Sequence, residues 1–259
     1  MNVATRQSLG PSLPVGMKTF TRTTARTVAA LLASALIAGT PSLRAGDPPI
    51  RVLLLSGQNN HDWKTTTPKL KAILTDGGQF AVDVTERPEQ CTAETLAQYD
   101  LVVSDWNAWG DAKVKEWPPA MREAFLQFVR SGKGYVSIHA GSSSFYDWPE
   151  YHQIGGLFWN LDVTSHGPPH EFTVEFTRDH PITRGLEPFK TKDELWIKPG
   201  IHPDATVLAT GDRQPLAVTT ALGQGRGFAL LLGHAAEHMD TPGFQTLLRR
   251  GARWAATGK

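Results

Sequence analysis

The segment GKGYVSIHAG, residues 132–141, decides the fold class of this chain. Residues 135–138 have the composition and length of a buried strand, and Gly132 before them is a typical helix stop. The run ends at His139, which small residues follow. Because ligands bind at the carboxyl ends of the strands in an open α/β sheet, this histidine is well placed for chemistry. The alternative is a turn histidine in a satisfied hydrogen-bond network.

Strands and helices alternate on both sides of this segment. The apolar pattern predicts strands at residues 50–56, 80–85, 101–104 and 135–138, and amphipathic helices at 68–75 and 119–130. Such alternation with short connections is typical of a parallel sheet covered by helices on both faces. We therefore predict an α/β fold with a flavodoxin-like, doubly wound and mostly parallel sheet.

The second half of the chain is less regular. Short strands are predicted at 171–176, 194–197, 206–210, 216–219 and 227–232, and a closing helix at 244–255. Residues 171–176 alternate in polarity and are predicted to form an exposed edge strand. The strand at 227–232 leads into Gly233 and His234, much as the earlier strand ends in His139. We expect these two histidines to approach each other at one end of the sheet.

Residues 1–45 have the composition of a secretory signal peptide. Lys18, Arg22 and Arg26 precede a short apolar run at 28–38, and small residues lead to a cleavage position after Ala45. We therefore expect an exported protein, periplasmic or secreted, whose mature domain is residues 46–259. The apolar run is too short to cross a bilayer, so no membrane span is predicted.

The composition of the remaining residues narrows the class of partner. The leader holds five of the chain's 26 basic residues and none of its 25 acidic residues, so the mature chain carries a formal charge of −4. This charge argues against nucleic acid as a partner. Cys91 is the single cysteine, which excludes an intrachain disulfide. The eight tryptophans suit either core packing or contacts with pyranose rings. The sequence leaves open whether the protein forms a homo-oligomer.

Histidines and carboxylates at predicted loop positions are candidates for a site. His61 lies in an Asn-rich loop after the first strand, His166 and His170 lie in a proline-containing loop, and Asp193 with Glu194 lies at a predicted strand start. Each has a structural alternative as a helix cap, a turn residue or a solvated loop residue. Taken together, imidazoles and one carboxylate suit general acid–base chemistry or a divalent metal.

The sequence lacks local cofactor motifs. It contains no HExxH segment and no cysteine pair, so a site for zinc or a similar divalent metal has to be assembled from separate loops. The segment GQGRG at 223–227 precedes a strand instead of opening a helix, and it is therefore not a phosphate loop. We expect no nucleotide cofactor.

An ordered series of short motifs resembles the ThuA-like, or trehalose-utilisation, family. The matching motifs are NNHD at 59–62, GxxxIHA at 134–140, GGxF at 155–158, HGxxH at 166–170, DHPITxGL at 179–186, DELW at 193–196, GxGRG at 223–227, LGH at 232–234 and RGxxWA at 250–255. The resemblance covers the whole mature chain and implies a fold like that of class I glutamine amidotransferases. In those enzymes a nucleophilic cysteine occupies a sharp turn after a strand. Here the turn holds His139, so an acyl-enzyme mechanism is unsupported.

The resemblance also implies a carbohydrate as the small-molecule partner, with 3-keto-sugars or 3-keto-glycosides as the substrate class. A 3-keto group acidifies the neighbouring C2–H, so a lyase or glycoside hydrolase acting on it needs a base, an oxyanion stabiliser and an acid. We assign catalysis to His139, Glu194 and His166, and metal binding to His61, His139 and His234.

Substrate contacts are predicted for six residues: Asn60, Asp62, Trp63, His170, Asp193 and Trp196. The competing interpretation is a non-catalytic module that binds a sugar or a protein partner on an amidotransferase-like fold.

Overall fold

A large sheet with helices on both faces forms the domain. The computed structural model describes residues 48–109 and 116–259, and the predicted signal peptide lies outside them. The helices are α1 (Trp63–Thr75), α2 (Ala93–Leu96), α3 (Pro119–Arg130), α4 (Pro149–Gly155) and α5 (Pro242–Thr257). The strands are β1 (Ile50–Leu55), β2 (Phe80–Thr85), β3 (Leu101–Ser104), β4 (Gly134–Ile138), β5 (Leu157–Phe158), β6 (Ser165–His166), β7 (His170–Phe176), β8 (Phe189–Asp193), β9 (Trp196–Ile197), β10 (Gly200–Ile201), β11 (Thr206–Gly211), β12 (Gln214–Leu222) and β13 (Gly225–Leu230).

Nine of these strands make one mixed sheet in the order β2-β1-β3-β4-β13-β12-β11-β7-β8. The pairings from β2 to β13 are parallel, and those from β13 to β8 are antiparallel. The predicted α/β class is thus confirmed, and the sheet joins a parallel half to an antiparallel half. Short two-stranded pairs, β10 with β5 and β6 with β9, lie beside it.

Two apolar cores cover the faces of the sheet. Leu54 of β1 packs in a core that contains residues of α1 and α5, such as Leu70 and Leu247. Its neighbour Leu55 packs in a second core that contains residues of α2, α3 and α4, such as Phe125. Successive side chains of a strand point to opposite faces, and both faces of the parallel half are covered. This is why β1 and β4 consist mainly of apolar residues instead of alternating with polar ones.

Several boundaries differ from the prediction. The segment at 171–176 is not an edge strand, because β8 pairs with it and forms the edge instead. The sequence pattern missed β8 because its inward side chains, Thr191 and Asp193, are polar although buried. Asp193 and Glu194 therefore lie at the end of a strand, not at the start of one. Helix α1 begins at Trp63, and Pro68 lies inside it.

The parallel strands place their carboxyl ends side by side. The loops after β1, β4 and β13 carry His61, His139 and His234 to this common edge. Among the described residues, no helix is long and apolar enough to cross a membrane. The sheet edge is thus where the predicted site residues can meet.

Close packing between β13 and α4 gives a prediction for stability. A Cβ atom on Gly227 would lie 1.9 Å from the carbonyl oxygen of Ile154 and 2.5 Å from Oγ1 of Thr220. We expect Gly227→Ala to lower the free energy of unfolding by about 1–3 kcal/mol, because α4 has to move away from the sheet.

Chemical denaturation measures this change. The control is Gly155→Ala at the end of α4, where an added Cβ meets nothing within 4 Å. We expect the control to be as stable as the wild type or slightly more so. Equal stability of Gly227→Ala and the wild type would contradict the packing argument.

Candidate active site with a metal-binding group

Three imidazoles and one carboxylate converge at the carboxyl edge of the parallel strands. One potential ligand atom from each of His61, His139, Glu194 and His234 lies within 4.8 Å of all the others. The three rings are nearly perpendicular to one another, with centroids 4.5 to 5.1 Å apart. Nδ1 of His234 and Nε2 of His139 are 3.3 Å apart. The expected approach of His139 and His234 is thus confirmed.

His139 is held rigidly at the end of β4. Its backbone has a φ of 34°, in the left-handed region that non-glycine residues seldom adopt. Its side chain is buried, and Nδ1 lies 2.8 Å from the carbonyl oxygen of Leu231. Because a carbonyl can only accept, Nδ1 carries the proton and donates it. This fixes the tautomer so that Nε2 faces Glu194 and His234.

Asp193 positions two other members of the group. Its carboxylate is fully buried and accepts hydrogen bonds from the backbone N–H groups of Gly233 at 2.7 Å, Glu194 at 2.8 Å and His234 at 3.2 Å. The ring of His238 lies 3.2 Å away, and Asp193 raises the pKa of that histidine. The end of β8 is thereby tied to the loop that follows β13.

His61 is placed by the turn after β1. Its backbone N–H donates to Oδ1 of Asn59 at 2.6 Å, and the side chain of Asn59 donates to the backbone oxygen of Asp105 at 2.7 Å. Burial, with His139 and His234 nearby, lowers the pKa of His61 to about 3. The imidazole is therefore neutral near pH 7, and its buried Nδ1 has no hydrogen-bond partner among the residues that the structure describes. A neutral ring with an unpaired nitrogen is suited to binding a metal.

Glu194 is the negative centre of the group. Burial acts to raise its pKa, but the neighbouring rings of His139 and His234 outweigh burial and hold the pKa well below its usual range. The carboxylate lies 3.4 Å from the ring nitrogens of both histidines. Its Oε2 is also 2.9 Å from Nδ1 of His166, whose side chain is about half exposed. Glu194 therefore links the buried group to a histidine that solvent can reach.

A pocket of about 190 Å³ opens above this group. Its lining combines the polar cluster with aromatic and amide side chains: Asn60, His61, Trp109, Ser143, Trp159, His166, Glu194, Trp196 and His234. A larger surface hollow of about 420 Å³ beside Cys91 has no histidine among its described lining residues. We therefore take the smaller pocket as the candidate site.

The structure brings together most, but not all, of the predicted site residues. The pocket contains all five residues predicted for catalysis or metal binding except His139, which lies beneath it at 1% exposure. Of the predicted substrate contacts, Asn60 and Trp196 line the pocket.

The other predicted substrate contacts lie elsewhere. Asp62 precedes α1, Trp63 lines a separate hollow, and His170 faces Asp212 on the protein surface. Asp193 is buried behind the pocket, where its oxygens bind backbone amides. These four residues are not among those that line the pocket.

Sequence reasoning missed part of the lining. Trp109, Trp159 and Ser143 were not predicted, and neither was Asn107, which is fully buried and connects the loops after β1, β3 and β4. Its side chain donates to Oδ1 of Asn60 at 2.7 Å and to Oγ of Ser143 at 2.9 Å. The one available signal was that Asn107 and Trp109 lie in the loop that follows a buried strand, β3.

Comparisons with known proteins agree with this fold. The chain is similar to a ThuA-like protein from Parabacteroides merdae ATCC 43184, with 33% identity and a TM-score of 0.72. The similarity covers 82% of this chain and 91% of that protein's chain. A ThuA-like protein from Bacteroides uniformis ATCC 8492 has 22% identity and a TM-score of 0.66 over 84% of this chain and 95% of its own. A β-galactosidase from Rahnella sp. R3 shares the fold over 80% of this chain and 31% of its own, with 14% identity and a TM-score of 0.54.

The search of curated proteins found no match. The family model described as "ThuA: Trehalose utilisation" matches residues 51–255, which include every residue of the candidate site. Since this match spans nearly all of the described residues, the chain belongs to the ThuA family.

Proposed function

We propose that this protein is an enzyme that acts on 3-keto-sugars or 3-keto-glycosides with the help of a divalent cation such as Zn²⁺. The observation that carries the proposal is the buried group of His61, His139, His234 and Glu194 at the base of a pocket, with the half-exposed His166 beside it. The family's description as trehalose utilisation supports a carbohydrate substrate.

The residues present fit a divalent cation. Three imidazoles and one carboxylate form a donor set that suits zinc and similar metals. His61 has a buried nitrogen that no described residue hydrogen-bonds. His139 has its other nitrogen bound to a backbone carbonyl, as metal-ligating histidines usually do. When bound, such a cation would stabilise negative charge on a carbonyl oxygen of the substrate.

His166 is the proposed base. Its Nδ1–H donates to Glu194, so Nε2 carries the lone pair that can take a proton. In the proposed reaction, Nε2 removes the C2 proton of a 3-keto-glycoside, and the C2–H electron pair forms an enolate with the C3 carbonyl. The bond between C1 and its oxygen substituent then breaks, and the proton held on Nε2 passes to that oxygen. This releases an alcohol, restores the neutral imidazole and leaves an unsaturated keto-sugar, and water addition to this product completes a net hydrolysis.

The topology supports a finer description of the fold. The parallel half has the strand order β2-β1-β3-β4-β13, which is the order of flavodoxin-like sheets. We propose that it corresponds to the amidotransferase-like fold, with His139 at the strained turn where those enzymes carry their nucleophile. Cys91 lies outside the pocket lining, so it is not a candidate nucleophile there. We also propose that the protein acts outside the cytoplasm, on the pattern of residues 1–45.

Metal analysis tests the proposed cation. We expect the purified protein to bind about one divalent ion per chain and His234→Ala to weaken that binding by at least tenfold, because a ligand is lost. Elemental analysis after dialysis against a weak chelator measures the content. His202→Ala is the control, since this histidine faces Asp204 away from the pocket and should leave the metal content unchanged. Equal metal content in wild type and His234→Ala would rule out this ligand set.

Turnover of a 3-keto-glycoside tests the base. We expect His166→Ala to lower kcat by about 10²- to 10⁴-fold, the usual contribution of a general base. Metal content and Tm should stay at wild-type values, because His166 is half exposed and outside the buried group. The measurement is release of the alcohol from the substrate, with His202→Ala again as the control.

Two outcomes would count against this assignment. A His166→Ala variant that keeps most of the wild-type kcat would remove His166 as the base. Sugar binding by the wild type without any turnover, with or without metal, would favour the non-catalytic sugar-binding module.

A further inference from the structure

Trp109 and Trp159 form an aromatic corner at the rim of the pocket, and the proposed chemistry does not use it. Trp109 and Trp159 are nearly perpendicular, with ring centroids 4.9 Å apart, and Trp159 is in turn perpendicular to Trp196 at 5.0 Å. Trp196 is almost fully buried and Trp159 is partly buried, whereas Trp109 is 37% exposed. The row of indoles thus runs from the buried group out to solvent. An exposed tryptophan at a pocket rim is typical of a binding surface.

The size of the pocket limits what it can enclose. Its volume of about 190 Å³ is below the roughly 300–1,000 Å³ of sites that enclose drug-sized ligands. The pocket can therefore enclose a ligand about the size of one sugar ring. A second ring joined to the first has to lie outside the pocket, where Trp109 is the exposed aromatic residue of the lining.

The corner is fixed in position and has polar groups beside it. Asn107 accepts a hydrogen bond from the backbone N–H of Trp109 at 3.1 Å, and its amide nitrogen donates to Asn60 at 2.7 Å. Because Oδ1 of Asn60 is thereby occupied, its amide N–H groups are left to donate. They make no hydrogen bond to another described residue, and Asn60 is exposed. A flat apolar wall beside a free amide donor matches a sugar ring, which has an apolar C–H face and hydroxyl groups at its edge.

We infer that Trp109 and Trp159 form a second sugar subsite, which binds the C–H face of a hexose ring attached at C1 of the ring held in the pocket. This inference rests on the proposed function and sharpens it, because it names a disaccharide as the substrate class. Trp109 determines the preference for two rings over one. Asn60 donates to a hydroxyl group of the outer ring.

Calorimetric titration with two unoxidised sugars tests the subsite without requiring turnover. The probes are methyl α-glucoside, with one ring, and trehalose, with two. The wild type should bind trehalose about two- to tenfold more tightly, as expected for one added aromatic contact. Trp109→Ala should bind both sugars alike, because it loses more affinity for trehalose than for methyl α-glucoside. Trp109→Phe should restore part of the preference, because it keeps an aromatic face.

The matched control is Val84→Ala, which truncates a side chain of the same 37% exposure on β2, where it lines a different hollow from the candidate site. It should keep the wild-type preference, and the Tm of each variant shows that it is folded. The inference is overturned if the wild type shows no preference for trehalose, if it binds neither sugar, or if Trp109→Ala weakens both sugars equally.

Turnover separates this inference from the proposed function. If the preference for two rings depends on Trp109 but no 3-keto-glycoside is turned over, the result supports the subsite and contradicts the proposed reaction. If one-ring and two-ring 3-keto-glycosides are turned over equally, with no effect of Trp109→Ala, the result supports the reaction and contradicts the subsite.

Discussion

The buried carboxylate of Asp193 is the interaction on which the site depends. A carboxylate taken out of water is unfavourable unless charged or polar groups replace the lost hydration. Asp193 meets this requirement with three backbone N–H groups and the ring of His238. Two of those N–H groups belong to Glu194 and His234, which are themselves members of the proposed metal-binding group. The cost of burying one charge is thus offset by contacts that fix the backbone of two site residues.

The sheet order shows why this contact matters. Three strands separate β8 from β13 in the sheet, yet Asp193 at the end of β8 binds the loop after β13.

A second buried carboxyl group, that of Asp105, lies beside the loop after β1. It accepts a hydrogen bond from Oγ1 of Thr66 at 2.6 Å, and the backbone oxygen of Asp105 accepts one from the side chain of Asn59. Burial raises the pKa of Asp105 to about 7. Each carboxyl group therefore fixes a loop that delivers site residues from separate strands.

The sequence was most informative where strands are buried on both faces. The apolar runs of β1 and β4 predicted the parallel half, and the two strands that lead into His139 and His234 predicted that these histidines meet. It was least informative where tertiary contacts replace apolar patterning. β8 was missed because its inward residues, Thr191 and Asp193, are polar. A segment without alternating apolar residues is predicted to be a loop. Asn107 and Trp109 were missed because their role depends on three loops that only the folded chain brings together.

The central claim is that three imidazoles and Glu194 form one metal-binding group, not four separately satisfied side chains. Anomalous diffraction from crystals grown with Zn²⁺, recorded above and below the zinc absorption edge, tests this most directly. The account predicts a single strong anomalous peak about 2.0–2.2 Å from one atom each of His61, His139, His234 and Glu194. A peak elsewhere, or full zinc occupancy on the protein surface with none among these four residues, would contradict it.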